Sequence, residues 1–177
     1  MDVHRLGVKF FAADDALVRL EDFIPVFHGW IQKQILAEHL LIDIHDYSHL
    51  HNGPGILLVA HEGNFSIDMS DGRPGFMYYR KTPTALSPTE HLAGILRSAL
   101  QATRLLEKDA KMRFKPNEFV VFANDRLSAA NDESTVAELQ PILSAALHEV
   151  FKGSEFKLQR TSLDPKERLT IQCSRGL

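Results

Sequence analysis

Three short apolar runs, separated by two compact turns, constrain the fold of this chain most strongly. The runs span residues 56–61, 65–69 and 76–80, and the separators are Glu62-Gly63-Asn64 and Asp71-Gly72-Arg73-Pro74-Gly75. Glycine, proline, asparagine and aspartate are the residues that favour tight turns. Strands joined by so few residues pair antiparallel, because a parallel neighbour needs a crossover of a dozen residues or more. The sequence therefore predicts an antiparallel meander.

Capping signals predict where two helices begin. Ser87-Pro88-Thr89-Glu90 combines a Ser N-cap, a Pro at the first helical position and a Glu able to close a capping box, so we expect a helix from there to about Asp109. Thr135-Val136-Ala137-Glu138 has the same pattern and predicts a second helix that runs to Val150. Gly153 is placed to end that helix.

The remaining segments complete an α+β pattern in a single domain, 1–177. An apolar stripe from Leu20 to Ile35 at three- and four-residue steps predicts the earliest helix. Strands are expected at 6–12, 40–47 and 118–123, with a closing hairpin of 156–162 and 168–174. Regular strand–helix alternation is absent, so a doubly wound parallel sheet is disfavoured. We expect a mainly antiparallel mixed sheet with three helices on one face, and an elaborated ferredoxin-like core is one such arrangement.

Composition narrows the class of protein. Of the 177 residues 44% are hydrophobic and 24% are charged, which is close to the average for globular domains. The single cysteine, Cys173, allows no intramolecular disulfide. The longest apolar run, Gly55–Ala60, is far shorter than the ~20 residues that span a bilayer. The N-terminal segment Met1–Arg5 has no export-signal pattern, so we expect a cytoplasmic protein without a membrane partner.

The charge balance argues against nucleic acid as a partner. The chain has 20 basic and 23 acidic side chains, a formal net charge of −3. Proteins that bind a nucleic-acid backbone carry an excess of lysine and arginine. We therefore expect a small molecule or a protein as the partner.

Histidine clustering is the first candidate for chemistry. Six of the nine histidines fall within 34 residues: His28, His39, His45, His49, His51 and His61. Imidazoles at short spacing are ligands of zinc and related divalent metals, so His45, His49, His51 and His61 form a candidate metal site with Glu62 as a candidate catalytic base. Their spacing matches no established metal signature. The competing interpretation is a polar edge strand and a solvated loop.

Basic residues around the second turn are another candidate site. Arg73 lies in the turn itself, and Arg80 and Lys81 end the strand that follows. Guanidinium groups and glycine-flanked backbone amides suit phosphate or carboxylate, so these three residues are candidates for binding an anionic ligand. Charged residues at strand ends are also commonly just solvated.

Two functional hypotheses follow. The leading one is a binding or assembly module without catalytic activity that takes a small ligand or a protein partner, as a homodimer. The dimer is suggested by the run Phe76–Tyr79, since a half-exposed strand would show two of these large side chains to solvent. The alternative is a metal-dependent hydrolase built on the histidine cluster. The chain has no phosphate-binding glycine loop and no serine-hydrolase elbow.

Overall fold

A computed structural model describes residues 5–14 and 18–176. The strands in these residues are β1 (Leu6–Ala12), β2 (Leu41–Asp46), β3 (Ile56–Ala60), β4 (Gly63–Asp68), β5 (Gly75–Arg80), β6 (Phe114–Ala123), β7 (Lys157–Arg160) and β8 (Thr170–Ser174). The helices are α1 (Phe23–Lys33), α2 (Pro88–Asp109) and α3 (Glu133–Val150). Residues 1–4, on which the prediction of no export signal rests, lie outside the described part.

One sheet contains all eight of these strands in the order β2-β3-β4-β5-β1-β6-β8-β7. Every neighbouring pair is antiparallel, so the α+β prediction is confirmed and the sheet is more uniform than the mixed one expected. The meander is confirmed as β3, β4 and β5. α2 connects β5 to β6, which have β1 between them, and α3 connects β6 to β7, which have β8 between them. The ferredoxin-like core stays a prediction.

The three helices pack on one face of this sheet, which we call the covered face. Alternate strand residues point to it, because side chains alternate along a strand. They join apolar helix residues in a single core, which includes Val8, Phe10, Phe65, Phe76 and Val121 from the sheet and Leu92, Ile95, Leu96 and Leu143 from the helices. Apolar burial on this face is the main source of stability.

The helix starts were predicted with mixed success. Ser87 accepts a hydrogen bond from the Glu90 backbone N–H, and the Glu90 carboxylate accepts one from the Ser87 N–H, so the capping box of α2 is confirmed. The second predicted helix is confirmed as α3, which ends at Val150, but its predicted start at Thr135 was wrong. Its N-cap is Asp132, whose carboxylate accepts from the Thr135 N–H at 2.8 Å. Aspartate caps as well as threonine does, so the earlier acidic residue begins the helix.

The other face of the sheet, which we call the open face, has no helix over it in the described residues. It carries the strand residues Gly7, Lys9, Phe11, Ser66, Asp68, Met77, Val120, Phe122, Thr170 and Gln172. Phe11, Met77, Val120 and Phe122 are buried here but lie outside the core of the covered face.

Two glycines let long side chains lie flat on the open face. A Cβ at Gly7 would collide with the Phe122 ring, so the absence of a side chain lets that ring extend across β1. A Cβ at Gly75 would lie 3.0 Å from Cε of Lys9, whose side chain crosses β5 towards Asp68. Side chains therefore bury one another on this face without a second layer.

The aromatic run Phe76–Tyr79 has a different environment from the one expected. Phe76 and Tyr78 are fully buried on the covered face, Met77 is buried on the open face and Tyr79 is half-buried. The expectation of an exposed aromatic surface was therefore wrong, because the strand lies inside the sheet with both faces packed. The homodimer itself stays a prediction. No helix in the described residues is both long and apolar enough to cross a membrane.

Candidate functional site

A cleft of about 460 Å³ lies on the open face. Its floor is formed by β1, β6 and β8, and its walls are the turn 70–74 and the loop 161–169 between β7 and β8. Its volume is within the range of small-molecule binding sites. Three basic side chains line it: Lys9, Arg73 and Arg168.

Arg73 lies at one end of the cleft, flat on an aromatic ring. Its guanidinium carbon is 3.5 Å from the centroid of the Phe11 ring. The Nη2 of Arg73 donates a hydrogen bond to Glu118 Oε1 at 2.9 Å. A guanidinium has five N–H donors, so this pairing fixes the group and leaves other donors for a ligand. The candidate Arg73 therefore lines the open-face cleft.

Arg168 has a similar aromatic platform but a weaker polar partner. Its guanidinium carbon is 4.0 Å from the centroid of the Phe122 ring, and Nη1 donates to the neutral amide oxygen of Asn124 at 3.2 Å. No carboxylate of the described residues lies within 4.0 Å of it. Burial lowers the pKa of Arg168, and the more distant Asp71 and Asp68 only partly oppose that effect. Arg168 is thus a half-buried cation that has no close counterion among the described residues.

Lys9 and Asp68 form a buried ion pair at the bottom of the open face. Lys9 Nζ is 2.7 Å from Asp68 Oδ2 and 3.1 Å from the carbonyl oxygen of Ser70. Both side chains are almost completely buried, at 2% and 4% exposure. Asp68 also accepts hydrogen bonds from the backbone and the hydroxyl of Ser70. This network ties the turn that carries Arg73 to the centre of the sheet.

Two exposed carboxylates, Asp71 and Glu167, line the mouth of the cleft. Asp71 has a φ of 60° within a short 3₁₀ turn, Ser70–Gly72. The Asp71 carboxylate acts on Arg168 only through longer-range attraction. The cleft therefore has positive groups inside and negative groups at its mouth.

A second hollow of about 190 Å³ continues beyond Arg73. It shares Phe11 and Arg73 with the main cleft and is bordered by Lys115 on its far side. Lys115 Nζ lies 3.0 Å from Asp14 Oδ1 and 3.9 Å from Glu118 Oε2. The Arg73–Phe11 stack thus stands between two connected spaces.

Arg80 and Lys81, the other candidates for anion binding, lie away from this cleft. Arg73 precedes β5, whereas Arg80 ends it, so the length of the strand separates them. Arg80 also points to the covered face, and its Nε donates to the Thr82 carbonyl oxygen at 3.3 Å. The backbone N–H of Lys81 donates to Glu62 at 2.9 Å. Neither Arg80 nor Lys81 therefore lies beside Arg73.

The four candidate metal ligands lie at different ends of the β2–β3 hairpin. His45 is on β2, and its Nε2 is 3.7 Å from Asp43 Oδ2. His49 and His51 are in the loop that connects the two strands, whereas His61 lies past the other end of β3. In the described residues, no group of three or more His, Cys, Asp or Glu side chains is placed to hold a metal ion. The metal-dependent hydrolase stays a prediction, which the metal content of purified protein would test.

Glu62, the candidate base, has a structural hydrogen bond. Its Oε2 accepts from the Leu40 backbone N–H at 2.9 Å. Burial alone would raise the pKa of Glu62, but the backbone hydrogen bonds and the attraction of His39 and His61 outweigh it, so the pKa is lowered. A carboxylate with a lowered pKa is a weaker proton acceptor, which does not suit a general base near neutral pH.

The sequence reasoning missed Lys9 and Arg168. Lys9 had a local signal, since a lysine interrupts the apolar run of β1. Arg168 had none, because its position depends on the pairing of β8 with β6 and on the ring of Phe122.

No family model matches this chain, and comparisons with curated proteins and with solved structures found no significant similarity.

Proposed function

We propose that this protein is a non-catalytic binding module that holds a small anionic molecule in the open-face cleft. The observation that carries the proposal is Arg168, a half-buried guanidinium that lies over the Phe122 ring and whose polar partner among the described residues is a neutral amide oxygen. Burying a cation without a counterion is costly, so buried charges are normally paired. An anionic ligand would supply the missing charge.

The arrangement of the neighbouring groups suits such a ligand. Arg73 and Arg168 each lie over a phenylalanine ring, which restricts where their N–H donors can point before a ligand arrives. Planar guanidinium groups bind carboxylate or phosphate through two parallel hydrogen bonds. A preoriented side chain loses little conformational entropy on binding, which improves affinity.

The acidic mouth favours a small anion over a polyanion. Asp71 and Glu167 are exposed where a nucleic-acid backbone would lie across the cleft, so they would repel its phosphates. A molecule small enough to enter would pass them and reach the cations inside. The net charge of −3 agrees with this preference.

Isothermal titration with inorganic phosphate at fixed ionic strength tests the proposal. We expect saturable binding by the wild type, and about a tenfold or greater loss of affinity in Arg168→Gln, since a hydrogen bond to a charged group contributes about 1.5–3 kcal/mol. The matched control is Arg97→Gln on α2, because Arg97 is exposed and pairs with Glu149 far from the cleft. Equal affinity in all three proteins, or no binding by the wild type, would contradict the proposal.

A further inference from the structure

We infer that the ligand of this cleft is an elongated dianion, with one anionic group at Arg73 and the other at Arg168. This inference rests on the proposed function and names the class of ligand. It depends on the placement of the two guanidinium groups, which occupy separate ends of one cleft instead of converging on one point.

The strand register shows how far apart along β1 the two aromatic rings that support these guanidinium groups lie. The Phe122 ring, which supports Arg168, extends over Gly7 of β1. Phe11, which supports Arg73, is on the same strand and the same face four residues further on. Four residues of extended strand span about 13 Å. The hydrogen-bond partners of the two guanidinium groups, Glu118 and Asn124, are likewise six residues apart along the chain. A single carboxylate or phosphate is small against either spacing, so we assign one anionic group to each guanidinium.

The floor between the two ends is suited to an uncharged linker. Val120 pairs with Lys9 in the sheet register, midway between Gly7 and Phe11, and its side chain lines the cleft. The Lys9 ammonium is already paired with the Asp68 carboxylate, so a ligand needs no third anionic group at this position. Gln172 of β8 pairs with Val120 and Thr170 pairs with Phe122, and both line the cleft and offer polar atoms.

The space at the Arg73 end also fits an extended ligand. The second hollow continues past the Arg73–Phe11 stack, so the guanidinium is accessible from two sides. At the other end, Arg168 itself lines the cleft, and neither Glu167 nor Asp71 forms an ion pair with it. An anion at each end would supply a counterion to Arg168 and accept hydrogen bonds from the donors of Arg73 that Glu118 does not use.

A length series of α,ω-dicarboxylates, from succinate to sebacate, tests the inference by isothermal titration at fixed ionic strength. Each dicarboxylate is compared with the monocarboxylate of the same carbon number. We expect an optimum at intermediate length, where the dicarboxylate binds at least about tenfold more tightly than its monocarboxylate, as for one added charge-assisted contact. Arg73→Gln and Arg168→Gln should each remove that advantage, and Arg97→Gln should keep it.

The outcomes separate this inference from the proposed function. If monocarboxylates bind as tightly as dicarboxylates and both lose affinity in Arg168→Gln, the cleft binds anions but the dianion inference is wrong. If neither series nor phosphate binds, the proposed function fails as well. Arg73→Lys retains the charge beside Glu118 in case the glutamine variant folds poorly. It should reduce the dicarboxylate advantage, because an ammonium lacks the planar pair of donors.

Discussion

The two faces of the sheet are buried by different means. On the covered face, apolar strand residues pack against three helices in one core. The fully buried polar and charged residues of the described strands all lie on the open face, namely Lys9, Asn64, Ser66 and Asp68. The first face supplies stability through apolar area, whereas the second holds charges in fixed positions at a cost in desolvation. Such a cost is expected at a binding surface.

The largest effect should come from breaking the ion pair of the open face. Asp68→Ala leaves the Lys9 ammonium buried without its carboxylate, which should lower the free energy of unfolding by about 3–5 kcal/mol. Urea denaturation measures this change in the free energy of unfolding. Replacing both partners, Lys9→Met with Asp68→Ala, should cost less than the single change. The exposed pair Arg19–Glu21 is the control, and Glu21→Ala should leave the urea midpoint almost unchanged, because exposed ion pairs contribute little. A double variant less stable than the single one would contradict this account.

Two neighbouring valines of β6 compare the faces directly. Val121 is fully buried in the covered core, and Val120 lines the cleft at 7% exposure. Val121→Ala should lower the free energy of unfolding by about 2–3 kcal/mol, because it removes apolar contacts and leaves a cavity. Val120→Ala should cost about 1 kcal/mol or less, since the space it leaves joins the open cleft. Equal losses in urea denaturation would remove the distinction between the faces.

A pH effect should come from a buried polar contact, the hydrogen bond between His39 and Tyr78. His39 Nε2 and the Tyr78 hydroxyl are 2.7 Å apart, and burial lowers the pKa of His39 while it raises that of Tyr78 to about 12. The unfolded chain therefore takes up the imidazole proton before the folded protein does. The free energy of unfolding should fall as the pH drops below about 6.5, by no more than about 1.4 kcal/mol per pH unit. His39→Gln should flatten this dependence, and an unchanged slope between pH 5 and 7 would contradict it.

The smallest effect should come from the histidine loop, which belongs to neither face. His49 and His51 are exposed in the β2–β3 connection. The double change His49→Ala with His51→Ala should alter the free energy of unfolding by only a few tenths of a kcal/mol, as at other surface sites. Elemental analysis of both proteins is the matching measurement. Metal that is stoichiometric in the wild type and lost in the double variant would support the hydrolase alternative instead.

The sequence predicted the covered face well and the open face poorly. Short turns such as Glu62-Gly63-Asn64 and the capping box at Ser87 act over a few residues, so local patterns locate the meander and α2. The cleft depends on contacts between distant segments, such as Arg168 with Phe122 and Lys9 with Asp68. Those contacts follow from the strand order, which local patterns do not determine.

The candidate site shows the same division. Arg73 was identified because its turn is visible in the sequence, but Arg80 and Lys81 were grouped with it by proximity along the chain. Alternation along β5 places Arg80 on the covered face, and the strand separates both residues from Arg73. Pairing these ends would need the strand between them to fold back on itself.

The most direct test of the account is an NMR titration that follows the Nε–H signals of the arginine side chains as inorganic phosphate is added. We expect saturable shifts for Arg168 and Arg73, each with its own dissociation constant for phosphate, while the Arg97 signal stays in place. Shifts of equal size for all three arginines, or no saturable shift for Arg168, would contradict the assignment of the open-face cleft as an anion-binding site.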